Sequence, residues 1–418
     1  MEMLFLRQGE QHGTEKRSHW PIVVIVSVQF DGSLDVVAER AKAAWTKMRY
    51  KHPLIASHVV GDCWVYTTES PEEQAHWLRD TFRVEHRPFS PQYDIEMRGS
   101  PKMRYLSHTN EFIFHAAHHY IDGLGAALLM RDFLRELGMN SDIDPANIIC
   151  DLKVQNLPSS MWEATKIPPS RKQRMRFLPA SLQSVRPDRF ISLPNCSAKE
   201  PGANAFRRLR ISRNDAIGIA NAAKEVRCSV AQFIHAALIQ AAKLQGNYED
   251  GSYFLTFLVK TLRGFCCDPA ISEAAAVRVG LWPICLEIFG FEETIRRLKQ
   301  AESQYRKNAR QLLSDMPANA ETVFSDFGSH LFGSFLFTSS GDTSQLFESS
   351  YGAFKFEGIT MMNLSMNKGT VIYLQTVRDE FEISICYNEA FHAGFDGGGF
   401  LEVVKRVLKK ESSTVSRM

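Results

Sequence analysis

Hydrophobic and polar positions alternate along this chain with two periods, and the switches between them mark out its elements. Trp20–Phe30 is a short apolar run of strand length. Ser33–Tyr50 repeats its apolar positions at helical spacing, with Val36, Val37, Ala41, Ala44, Trp45 and Met48 on one side, and Pro53 stops further helix. Trp64–Thr67 predicts a strand. Met103–His118 predicts two more, separated by His108–Asn110, and an amphipathic helix follows over Gly125–Leu137. Further on, strands are expected at Phe206–Ile211, Tyr253–Leu262, Phe332–Thr338, Val371–Val377 and Glu380–Tyr387, the last alternating like an edge-proximal strand. An apolar run covers Leu281–Ile288. Helices are expected near Asn214–Glu225 and over Ser229–Leu244, Phe291–Leu313 and Gly399–Lys410.

Between the two groups of elements the composition shifts. Pro158, Pro168, Pro169, Pro179, Pro187, Pro194 and Pro201 punctuate a segment that also holds the basic run Arg171–Arg176. That pattern reads as an extended crossover, so the expected division is an N-terminal lobe at 1–155, a crossover at 156–205 and a C-terminal lobe at 206–418. The 418 residues are 44% hydrophobic and 23% charged, ordinary for a globular protein of this size. A formal net charge of +2 argues against a nucleic-acid partner. No apolar run is long enough to span a membrane, and the opening MEMLFLRQGE lacks a secretory core with a small-residue cleavage site. The eight cysteines show no C-x-x-C spacing and read as reduced thiols, so a cytoplasmic location is expected.

The chemistry concentrates in Glu111–Leu137, EFIFHAAHHYIDGLGAALLMRDFLREL. A strand pattern leads to His118, and Asp122 and Gly123 follow at the spacing H-x-x-x-D-G before the helix begins. Neutral imidazole is suited to removing a proton from an alcohol or amine near neutral pH. A carboxylate four residues on fits a helix N-cap and a buried ion pair, and the glycine fits a sharp backbone turn. A strand-end histidine and a capping aspartate with no catalytic role would give the same pattern. In an extended strand His115 and His119 would share one face and His118 the other; only His118 has the carboxylate four residues on.

Taken together, these residues resemble the coenzyme-A-dependent acyltransferase superfamily: plant-type hydroxyl and amine acyltransferases, alcohol and trichothecene acetyltransferases, and condensation domains. The carriers are His118-x-x-x-Asp122-Gly123, the entry segment Arg49…His52-Pro53-Leu54, Arg263 before Gly264, and Thr338-Ser339-Ser340-Gly341. Two departures stand out. Ala117 precedes the motif histidine where condensation domains have a second histidine. Asp326-Phe327-Gly328 continues with Ser329-His330 rather than the Trp-Gly of the plant-type motif, and it precedes the Ser339–Gly341 strand instead of following it.

The resemblance implies an α/β fold of two similar chloramphenicol-acetyltransferase-like lobes, each a mixed sheet flanked by helices, with an active-site tunnel between them. It implies a monomer that transfers an acyl group from a coenzyme A or carrier-protein thioester to a hydroxyl or amine of a small secondary-metabolite acceptor. His118 would be the base. Asp122 would pair with Arg263, Gly123 would support the turn, and Ser339 or Ser340 would stabilise an oxyanion or line the channel. No metal or bound prosthetic group is expected; acyl-coenzyme A is a co-substrate. Two alternatives share the fold: a non-transfer enzyme (cyclisation, isomerisation or elimination) and a non-catalytic binding protein.

Overall fold

The computed structural model describes residues 21–60, 63–66, 70–87, 100–139, 157–170, 186–327, 334–377 and 379–415. In chain order the first elements are β1 (Ile22–Gln29), α1 (Leu34–Lys51), β2 (His58–Val60), β3 (Cys63–Val65), α2 (Pro71–Thr81), β4 (Phe82–Glu85), β5 (Lys102–Leu106), β6 (Glu111–Ala116), α3 (Gly123–Gly138) and α4 (Met161–Thr165). Then come β7 (Asn204–Ile211), α5 (Arg213–Glu225), α6 (Val230–Gln245), β8 (Ser252–Thr261), α7 (Pro269–Ser272), β9 (Val279–Ile288) and α8 (Phe291–Phe327). The last are β10 (Phe335–Asp342), β11 (Ser350–Tyr351), β12 (Phe354–Asn363), β13 (Thr370–Val377), β14 (Glu380–Asn388) and α9 (Gly397–Val415). The basic run Arg171–Arg176 lies outside the described residues.

Two compact units divide the chain, and the division is discontinuous. Unit 1 comprises Met1–Lys166, Leu262–Val279 and Asp342–Asn363; unit 2 comprises Ile167–Thr261, Gly280–Gly341 and Leu364–Met418. The contiguous boundaries expected from composition, 1–155, 156–205 and 206–418, therefore need correction. Strand pairing is the reason. β12 is distant in sequence but runs antiparallel to β1 along its whole length, from Ile22 opposite Asn363 to Gln29 opposite Lys355.

Unit 1 holds a six-stranded mixed sheet in the order β11-β12-β1-β6-β5-β4. β1 has a neighbour on each side, which explains why IVVIVSV is an unbroken apolar run rather than an alternating one. Only β4 and β5 run parallel. Helices α1 and α3 cover one face. The Trp45 ring lies 6.2 Å from Phe114, and Phe133 meets Phe112 edge-on at 5.1 Å. The Trp45 indole N–H is buried too, and it donates to Thr81 Oγ1 at 3.0 Å. The end of α3 fits against the β11–β12 hairpin because two glycines meet there: a Cβ on Gly352, which has φ +58°, would lie 2.3 Å from the Gly138 carbonyl oxygen.

Unit 2 holds a four-stranded sheet, β10-β13-β14-β7, and the β8–β9 pair. Alternation along β13 and β14 sends Ile372, Leu374, Ile383 and Ile385 into a core shared with Phe233 and Leu238 of α6 and Phe400 and Val404 of α9. The opposite sheet face carries Tyr373, Gln375, Glu382 and Ser384. As expected, β14 lies one strand in from the edge, which is β7. α8 runs on to Phe327, well past the Leu313 end expected from its apolar spacing.

Candidate active site

Strand β6 ends at Ala116, two residues earlier than the apolar pattern suggests, because the Tyr120 N–H bonds the Ala117 carbonyl at 3.0 Å and closes a turn. His118 sits in that turn, so strand alternation does not decide which way it faces. The residue is partly exposed, with Nδ1 enclosed. Burial pushes its pKa below the ordinary imidazole value, while a hydrogen bond with its own main chain and the Asp122 charge act the other way. His119, the next residue, is pushed down to about 4 by burial and by the neighbouring His118. Its ring stacks 5.7 Å from Trp64. Tyr120 is buried, pushed up to about 12, and donates to the Ser57 carbonyl at 3.3 Å.

Asp122 is the N-cap of α3, and both of its carboxylate oxygens are occupied. Oδ1 accepts the Gly125 N–H at 2.6 Å and Arg263 Nη2 at 2.9 Å. Oδ2 accepts the Arg278 backbone N–H at 2.6 Å. The aspartate is 4% exposed and the arginine 7%, so this pair is shielded from solvent. Arg263 also donates to the carbonyls of Ser272 (2.6 Å), Ala274 (2.8 Å) and Ala276 (3.1 Å). One guanidinium thus organises the 272–276 loop and neutralises the capping carboxylate together. An aspartate held this way is a structural anchor for the turn that carries His118.

Two residues in this network carry no motif signal. Arg278 is fully buried; beyond its main-chain bond to Asp122, its Nη2 reaches the Ser159 carbonyl at 2.5 Å. Gly125 is required by close approach: a Cβ there would lie 2.8 Å from the Ala276 oxygen and 2.9 Å from Arg263 Nη2. The spacing D-G-L-G was the available hint. Gly123, expected to take a sharp turn, is instead the first helical residue of α3, and its φ is not in the left-handed region.

The remaining expected residues divide between the units. In the entry segment, Arg49 is buried in α1 with its guanidinium 5.2 Å from the Trp77 ring, and His52 Nε2 lies 3.0 Å from Asp132 Oδ2. These are structural positions. Ser339 and Ser340 belong to unit 2, on β10. Ser339 is exposed and its Oγ accepts the Gly341 N–H at 3.3 Å, where Gly341 has φ +70°. Asp326 and Phe327 end the long helix α8, and Gly328 lies outside the described residues. Among the described residues no cluster of metal-ligating side chains forms, and no helix is long and apolar enough to cross a membrane.

The site thus joins a turn-borne histidine to a buried aspartate–arginine pair four residues on, in a two-unit α/β chain. The acetyltransferase pigO of Monascus ruber is 24% identical over 431 residues, covering 94% of this chain and 91% of that protein. The O-acetyltransferase pigM of the same organism is 25% identical over 421 residues, covering 95% and 81%. Among solved structures, the TRI3 trichothecene 15-O-acetyltransferase of Fusarium sporotrichioides superposes with a TM-score of 0.78 at 15% identity, over 98% of this chain and 94% of its own. The condensation domain of the monacolin K polyketide synthase MokA gives 0.60 at 11% identity, over 98% and 96%. No protein-family model matches the chain. The chain is thus similar over nearly its whole length to two acetyltransferases, and it shares its fold with an O-acetyltransferase and a condensation domain.

Proposed function

We propose that the protein transfers an acyl group from a thioester, of coenzyme A or of a carrier protein, to a hydroxyl or amine of a small secondary-metabolite acceptor. The observation that carries this reading is the saturation of Asp122. With both oxygens committed to Arg263, Gly125 and Arg278, the carboxylate leaves proton transfer to His118. The depressed pKa keeps that imidazole neutral at pH 7, the form a base requires. Nδ1 is enclosed, so the proton transfer is assigned to Nε2.

In the reaction, Nε2 takes the proton from the acceptor O–H or N–H as the heteroatom adds to the thioester carbonyl. The tetrahedral oxyanion collapses, the carbon–sulfur bond breaks, and the thiolate leaves with the proton returned from the imidazolium. No covalent enzyme intermediate is needed. The oxyanion requires a hydrogen-bond donor, and one such donor typically contributes about 3–4 kcal/mol to lowering the barrier. Acyl-coenzyme A acts as co-substrate, and the monomer in the cytoplasm is the proposed working state. The full-length relatedness to two acetyltransferases supports this over the non-transfer and binding readings.

The test is thiol release from acetyl-coenzyme A by the purified protein across a panel of alcohols and amines, with His118→Ala as control. Release that needs both an acceptor and His118 supports the reading. Release that persists in His118→Ala refutes the histidine's role, and conversion of a small molecule without any thioester refutes acyl transfer.

A further inference from the structure

The face of the unit 2 sheet turned away from its helices carries two polar side chains whose hydrogen bonds are unmet. Gln375, on β13, is 0% exposed, and among the described residues neither its amide oxygen nor its amide nitrogen has a partner. Ser384, on β14, is 1% exposed, and its Oγ has none either. In the antiparallel register Tyr373 lies opposite Ser384 and Gln375 opposite Glu382, so the glutamine and serine are diagonal neighbours on one face. Such pairs lie about 7–8 Å apart, close enough to engage a single ligand group from two sides. The neighbouring Glu382 accepts Arg210 Nε at 3.2 Å, so the charge beside the pair is balanced.

A buried amide and a buried hydroxyl without partners both destabilise a fold, and apolar side chains of the same shape serve better at such positions. Their presence side by side is explained when a ligand meets them. We propose that Gln375 and Ser384 form a recognition pair for a neutral substrate group that both donates and accepts hydrogen bonds, a hydroxyl or a secondary amide; this rests on the acyl-transfer reading above. Two sources carry that chemistry: the acceptor, and the pantetheine amides of the thioester donor. Because both side chains are enclosed, binding has to open this face, which makes the recognition one of induced fit.

The experiment compares wild type with Gln375→Met and Ser384→Ala. Thermal midpoints are measured with and without coenzyme A, and KM is measured for each substrate in the transfer assay. A recognition pair gives unchanged or raised midpoints in the variants, with one KM rising about tenfold and the other unmoved. A rise for the alcohol or amine assigns the pair to the acceptor. A rise for acetyl-coenzyme A, with loss of the coenzyme A midpoint shift, assigns it to pantetheine. Unchanged KM values, or midpoints that fall, overturn the proposal. If wild type transfers no acyl group, the acyl-transfer reading fails by itself. The pair then stands only if coenzyme A raises the wild-type midpoint and both variants lose that rise; any other result overturns it.

Discussion

Replacing Asp122 by alanine separates anchoring from chemistry at this site. The substitution removes an acceptor used by three donors at 2.6, 2.6 and 2.9 Å, two of them main-chain N–H groups. It also leaves the Arg263 guanidinium, 7% exposed, without its carboxylate. Stranding one partner of a buried pair costs about 3–5 kcal/mol. Loss of an N-cap typically costs about 1 kcal/mol and overlaps with that figure, because the same oxygen caps α3 and meets the arginine. For a unit of this size each kcal/mol lowers the midpoint by roughly 2–4 °C, so a fall of roughly 6–20 °C is expected for Asp122→Ala. His118→Ala removes a partly exposed neutral ring and should move the midpoint by only a few degrees while abolishing thiol release. Arg263→Met supplies the third corner of a double-mutant cycle. The double variant should be far less destabilised than the sum of the singles, since no charge is then stranded. Circular dichroism melts at pH 7 read all five proteins, the four corners of the cycle and His118→Ala. Additive single effects, or an Asp122→Ala midpoint close to wild type, would refute the buried-pair argument. Equal losses in Asp122→Ala and His118→Ala would refute the division of roles.

Acid sensitivity should come from histidines buried in their neutral form. His115 and His235 are each pushed down to about 3, largely by burial, so between roughly pH 6.5 and 3 the unfolded chain binds protons that the native state does not. Stability is full above the ordinary imidazole pKa and falls with pH below it, by up to about 1.4 kcal/mol per pH unit for each group; urea melts from pH 7 to 4 check this. His235→Leu should raise stability more at pH 5 than at pH 7, because Nε2 is buried beside Phe254, Phe335 and Phe337 with no partner among the described residues; equal effects at both pH values would remove His235 from the account. The acid limb of activity should lie below the ordinary imidazole pKa, since burial lowers that of His118 and the neutral ring is the active form; a limb above it in a pH–rate profile would contradict that environment. Gly125→Ala should destabilise despite a helix-propensity gain of about 1 kcal/mol, because the new Cβ would meet the Ala276 oxygen at 2.8 Å; a raised midpoint would show that the loop gives way.

Much of the secondary structure was legible because burial writes periodicity into sequence. The run at Ile22–Val28 is continuous since β1 is flanked on both sides, and the helical stripe of Leu129, Phe133 and Leu137 marks the face of α3 that covers the sheet. The His118–Asp122 spacing was legible too, because a strand end, a turn and a helix cap are local events. Elements whose stabilising partners lie elsewhere were not. α2 and β4 have short or weak patterns. β12 begins with the alternation Phe354-Lys355-Phe356 and then loses it, yet it is the strand that pairs with β1.

By itself, then, the sequence determined the α/β class, the core-facing sides of its helices and strands, and one local motif that points to histidine chemistry. Tertiary structure alone decided that segments 262–279 and 342–363 return to the first unit and that Arg278 offers its main-chain N–H to Asp122. It also decided that Gly125, rather than Gly123, is the glycine demanded by close approach, and that Gln375 and Ser384 share one buried sheet face. The physical reason is range. Periodicity and capping are set by residues within a turn or two. Strand pairing, desolvated charge pairs and close backbone approach are set between residues far apart in the chain, where a single sequence carries no mark of which partner each will meet.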